Sequence, residues 1–142
     1  MKTIFTLFCV LCLSLSYGQD TIKQIDTVQK VIVINPLPVT EYNTLKNKGT
    51  AIEVTMYASS KTFSLPKNSG VNYFLSMIEG KATTEFNTTN SGYIMILVNE
   101  DFYMDAEVSL SDKNNYLIFK KDGIKYYNLL NDKGIAFFSK FL

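Results

Sequence analysis

The sequence predicts an α+β domain: an antiparallel sheet of about five to seven strands, ending in a C-terminal meander, with one amphipathic helix packed on one face, after a cleaved signal peptide. Three observations carry this reading. Residues 52–58 and 102–110 alternate apolar and polar side chains with a period of two, as half-buried strands do. Asp122-Gly123 separates two apolar and aromatic runs, the signature of a tight hairpin whose turn positions both need φ > 0. Val71, Phe74, Leu75 and Ile78 fall at i, i+3, i+4 and i+7, one stripe of a helix.

The elements follow in order from the N terminus. In residues 1–18, Lys2 supplies a positive start, and Ile4 to Leu15 form an apolar run broken only by Thr6 and Ser14. Ser16 and Gly18 place small residues at −3 and −1 of a cut before Gln19, the pattern of a secretory signal peptide. The run is shorter than the ~20 apolar residues of a spanning helix. Export, periplasmic or extracellular, is therefore expected, with no membrane span after cleavage. Residues 19–38 read as a polar lead and a short strand. Asp20-Thr21-Ile22 and Asp26-Thr27-Val28 resemble a bacterial O-glycosylation motif, which makes Thr21 and Thr27 candidate acceptors. Val31 to Ile34 is a β-branched run that reads as a strand, stopped by Pro36 and Pro38.

Residues 39–142 are expected to form the single α+β domain. Thr40 to Lys48 reads as a short helix capped by Thr40 and ended by Gly49. Next, Ile52, Val54, Met56 and Ala58 share one strand face, with Glu53, Thr55 and Tyr57 opposite. Phe63 and Leu65 mark a second strand. Ser69 is expected to cap the helix over 70–79 and Gly80 to stop it. Tyr93 to Val98 is apolar throughout, which reads as a central strand or one buried on both faces. Along 102–110, Phe102, Met104, Ala106, Val108 and Leu110 share one face, and Tyr103, Asp105, Glu107 and Ser109 the other. Asn115 to Lys121 and Ile124 to Leu130 flank the Asp122-Gly123 turn. Asn131 to Gly134 reads as a further turn and Ile135 to Leu142 as the last strand.

Composition closes several chemistries. The 142 residues include no His and no Trp, and all 14 basic residues are Lys. Both cysteines, Cys9 and Cys12, fall in the signal segment, so the exported chain is expected to carry no disulfide and no thiol ligand. Ser-His-Asp and Cys-His catalysis and His- or Cys-based metal sites are excluded on residue type alone. The lack of Arg removes the bidentate phosphate clamp. Past Gly18, 13 Lys (the 14 less Lys2) stand against 13 acids. That balance exerts no net pull toward nucleic acid or an anionic membrane. The seven glycines are scattered singly and form no phosphate loop. No cofactor and no metal are expected.

Catalytic candidates reduce to one stretch. NEDFYMDAEVSLSD, residues 99–112, holds five carboxylates and no base. Asp105 and Glu107 stand two apart on one strand face, about 6.5–7 Å at the backbone, within the spacing of glycosidase acid pairs. A plainer reading accounts for the same residues. The acids form the wet face of a half-buried strand, and the segment after them is basic. If Ser111 to Asn114 form a four-residue loop, Leu110 pairs with Asn115, and Asp105 stands exposed opposite Lys120 as a cross-strand ion pair. Asp112 onward begins like a calcium loop but lacks the oxygen ligand at its fifth position and the glycine at its sixth. The aromatic and Lys mixture from Phe119 to Phe141 reads as one core face with a partly exposed patch near Tyr127.

The expected function is therefore that of a small exported, non-enzymatic binding or interaction domain whose partner is a protein, a glycan or an apolar ligand. The alternatives are a carboxylate-dependent hydrolase using Asp105 and Glu107, and a carrier with an apolar cavity between helix 70–79 and a curved sheet.

Overall fold

The computed structural model describes residues 34–67, 69–83 and 89–142. The elements run α1 (Val39–Lys48), β1 (Gly49–Met56), β2 (Lys61–Leu65), α2 (Ser69–Leu75), β3 (Gly92–Val98), β4 (Asp101–Ser109), β5 (Tyr116–Lys121), β6 (Ile124–Leu129) and α3 (Asp132–Phe138). A 3-10 turn at Ser139–Phe141 follows. The six strands form one sheet in the order β2-β1-β3-β4-β5-β6, antiparallel at every pairing. This is an α+β fold. Gly18, Gln19, Thr21, Thr27 and residues 31–33 lie outside the described residues, and Ile34 belongs to no strand.

Alternation in the sequence becomes a two-sided sheet. One face gathers Ile52, Val54, Met56, Ile94, Ile96, Met104, Ala106, Val108, Leu117 and Phe119, all buried in a single core cluster. Leu45 of α1, Val71, Phe74 and Leu75 of α2, and Phe138 of α3 belong to the same cluster. The rings of Phe74 and Phe119 meet edge to face at 6.3 Å between centroids. Three helices therefore cover this face, rather than the one expected. Burying side chains of this size contributes roughly 1.5–3 kcal/mol each, and the cluster holds the domain together.

The largest correction lies at the C terminus. Ile135 to Leu142 is not a strand; α3 and the 3-10 turn occupy it. Asn131 caps α3, its side-chain oxygen accepting from the Gly134 N–H, and Asp132 places a negative charge in the first turn. A short, mostly apolar run has no decisive period, and here the cap decides. Phe137 and Phe141 then close on Phe63 of β2, with centroids 5.8 and 4.5 Å away. Gly134 is needed at the crossing: a Cβ there would lie 2.8 Å from the Met77 carbonyl oxygen.

The two earlier helices differ from expectation at their ends. Pro38, not Thr40, is the N-cap of α1, and no side chain caps it. Proline at this boundary has no N–H to satisfy and a fixed φ compatible with the turn. α2 stops at Leu75 instead of running to residue 79. Its end tightens, the N–H groups of Ser76, Met77 and Ile78 donating to the carbonyls of Tyr73, Phe74 and Leu75. Ile78 then bridges to Leu130, and the Glu79 N–H donates to the Leu129 carbonyl, so the chain leaves the helix to pair with the end of β6.

The hairpins fall where the turn chemistry puts them. Asp122 and Gly123 take φ of 50° and 77° between Lys121 and Ile124, which pair directly. The β3–β4 turn is made the same way by Asn99 and Glu100, with φ of 52° and 74°. A left-handed Glu is strained. It is held by the Glu100 N–H donating to the Thr50 hydroxyl and the Asn99 N–H to the Lys48 carbonyl. Beside this turn a β-bulge shifts the β3–β4 register between Ile96 and Leu97. Phe102 consequently lies on the open face at 61% exposure, not with Met104 on the core face. β3 sits at the centre of the sheet, but its burial alternates: Tyr93, Met95 and Leu97 are half-buried on the open face.

The sheet edges are unlike. Along β6 the Tyr127 N–H donates to the Asn35 carbonyl and the Leu129 N–H to the Lys81 carbonyl, so segments before α1 and after α2 seal that edge. β2, at the other end, has no strand beyond it among the described residues.

Candidate functional site

The expected register between β4 and β5 is observed. Ser111 organises the connecting loop: its hydroxyl accepts from the N–H of Lys113 and Asn114, and its own N–H donates to the Asn115 side chain. Asp105 and Lys120 are therefore direct cross-strand partners. The ion pair nevertheless forms on the diagonal, Lys120 donating to Glu107. That contact, against some desolvation, holds the Lys120 ammonium pKa above its ordinary value, and the charge of Asp105 adds to it. Burial, with the Asp105 charge beside it, pushes the Tyr93 hydroxyl up.

Asp105 and Glu107 thus stand half-buried on the open sheet face with Lys120 between their charges. A hydrolytic pair needs its carboxyls on opposite sides of a scissile bond, inside a cleft that excludes water. The recess that Glu107 borders has about 60 Å³ of space and is walled by Thr89, Asn90, Val108, Ser109, Tyr116 and Ile118, without Asp105. Among the described residues no group of three His, Cys, Asp or Glu is placed to hold a metal ion. No helix among them is long and apolar enough to cross a membrane.

The aromatic and Lys mixture divides between the two faces. Phe119 and Phe138 are fully buried, and Tyr126, Phe137 and Phe141 pack against the core. Lys121 points opposite to Lys120 and donates to Glu41 of α1 at 2.8 Å and to the Tyr103 hydroxyl at 2.7 Å. Tyr103 also donates to Glu41, at 2.6 Å. Burial pushes the Glu41 carboxyl up, but the hydrogen bonds from Lys121 and Tyr103 outweigh it and hold the carboxyl below its usual range. This trio joins α1 to the sheet. It is a fastening, with Lys121 and Tyr103 both donating to the same Glu41 oxygen, Oε2.

An apolar recess lies elsewhere, where α1 begins. A cleft of about 280 Å³ is lined by Pro36, Leu37, Pro38, Val39, Tyr42, Ile78, Glu79, Gly80 and Asn128. It is not the cavity expected between α2 and the sheet, a space filled by Phe74, Leu75 and Phe119. Asn128 of β6 builds it. This side chain is 3% exposed, accepts from the Leu37 N–H at 2.8 Å and donates to the Glu79 carbonyl at 2.8 Å. One amide thereby ties the segment entering α1 to the segment leaving α2, and the cleft opens between them. Sequence reasoning misses Asn128, although a signal is present. It stands between Tyr126 and Leu130 on the core-facing side of β6, a polar residue in an apolar alternation, and such a residue needs partners there. No family model, no curated protein and no solved structure matches this chain.

Proposed function

We propose that this chain is a small exported binding domain without catalytic activity, and that the cleft between Pro36–Tyr42 and Ile78–Gly80 is where it binds. One observation carries the reading. The apolar recess holds no acid pair, and the paired acids stand outside it on the sheet face, one of them ion-paired to Lys120. Binding sites are concave and mostly apolar with a few placed polar groups, which describes this cleft. Export is supported by the lead sequence alone, Lys2 followed by the apolar run and the small residues Ser16 and Gly18.

The test compares the chain with its Asp105→Asn, Glu107→Gln double variant. Both are assayed for hydrolysis of chromogenic glycosides and esters, and for thermal stabilisation by glycans, peptides and apolar compounds. We expect no turnover that depends on the two acids, and a rise in Tm with one compound class in both proteins. Turnover present in the parent and lost in a folded double variant overturns the reading in favour of a hydrolase. For export, N-terminal sequencing of the protein recovered outside the cytoplasm should begin at Gln19.

A further inference from the structure

Resting on the binding reading, we propose that the cleft at the start of α1 takes an apolar group of roughly ten to twelve non-hydrogen atoms, such as a bicyclic ring. The size follows from volume. A dry apolar cavity of about 150 Å³ accommodates benzene. The cleft offers about 280 Å³, space for a group nearly twice that size.

The polarity follows from the wall. Pro36 and Pro38 have no N–H to offer. The N–H of Leu37 is taken by Asn128, that of Tyr42 by Pro38, that of Ile78 by Leu75 and that of Glu79 by Leu129. The Asn128 amide is spent on Leu37 and on the Glu79 carbonyl. With most of these donors engaged, a ligand with many polar groups would leave several of them unpaired, which is costly in a desolvated site. An apolar one meets Leu37, Val39, Ile78, two proline rings and the Tyr42 ring.

The experiment titrates 2-naphthol, neutral at pH 7, into the full chain and follows methyl shifts by NMR. We expect saturable binding with a Kd of about 100 µM or tighter, with shifts at Leu37, Val39 and Ile78. Val39→Asp sets a charge at the mouth from a position 74% exposed, in a helix first turn that favours acids. It should fold normally and weaken 2-naphthol at least about tenfold. The proposal is overturned by no saturable 2-naphthol binding up to millimolar concentration, by an unaffected Val39→Asp variant, or by shifts at Met95 and Leu97 on the open face instead. These outcomes concern the ligand class alone. Hydrolysis dependent on Asp105 and Glu107 concerns the function, so the two failures are told apart.

Discussion

The two faces of the sheet are built from the same strands and differ in almost everything else. Successive residues of β5 show it: Phe119 is fully buried against Phe74, while Ile118 is half-buried on the open face. Successive lysines repeat the contrast. Lys120 pairs with Glu107 across the open face, and Lys121 pairs with Glu41 from the helix layer. The covered face is held by packing, where shape decides. The open face is held by cross-strand pairs, each of modest worth, so it tolerates change.

The contrast between the faces should be widest at neighbouring positions of β5. Phe119→Ala should cost about 3–5 kcal/mol in chemical denaturation, because the helix layer cannot collapse into the space left. Ile118→Ala, one residue away, should cost about 1 kcal/mol or less if the open face is as weakly committed as its burial indicates. Equal losses would mean that both faces carry core.

Asn128→Leu tests the polar exception on the covered face. It leaves the Leu37 N–H and the Glu79 carbonyl without their partner. Stability should fall by about 1–3 kcal/mol, the cost of stranding buried polar groups. Hydrogen exchange at Leu37 should quicken by more than the global loss explains, since that amide loses its acceptor directly.

The smallest expected effect concerns pH. The Glu41 carboxyl is held below its ordinary value in the folded chain. Its contribution is therefore full above the unfolded carboxylate pKa and is lost as pH falls through the lower folded value. Lys121 mirrors it. Burial pulls that ammonium down, but Glu41 and Tyr103 together hold it up. Its share is present at neutral pH and lost only as pH rises through the raised lysine value. Glu41→Gln should cost about 0.2–1 kcal/mol at pH 7, and the gap to the parent should close in acid as pH falls through the lowered folded value. A gap that persists there would assign the loss to packing of α1 rather than to charge.

What the sequence revealed tracks these same physics. The register of β4 on β5 was legible because a four-residue loop and opposite charges both pointed to Asp105 facing Lys120. The Asp122-Gly123 hairpin was legible because its backbone demand is local. The bulge that turns Phe102 outward was not, since it depends on pairing between β3 and β4 and not on either strand alone. The terminal helix was hidden for another reason. Phe137, Phe138 and Phe141 satisfy either period, and only the bond from the Gly134 N–H to Asn131 tips the choice. The cleft was the least visible of all. Its walls lie at residues 36–42, 78–80 and 128, brought together by one buried amide, and no local pattern announces three segments meeting.

The unlike sheet edges bear on how copies of this chain associate. Endless strand-by-strand growth needs two free edges, so that each added molecule presents a fresh one. Here the outward N–H groups of Tyr127 and Leu129 are already engaged by Asn35 and Lys81. Addition is left to β2, a strand of five residues that carries Lys61 at its start. Two copies joined there by a two-fold axis would consume both available edges at once. Among the described strands, edge pairing through β2 would therefore terminate at a pair rather than propagate into a fibre.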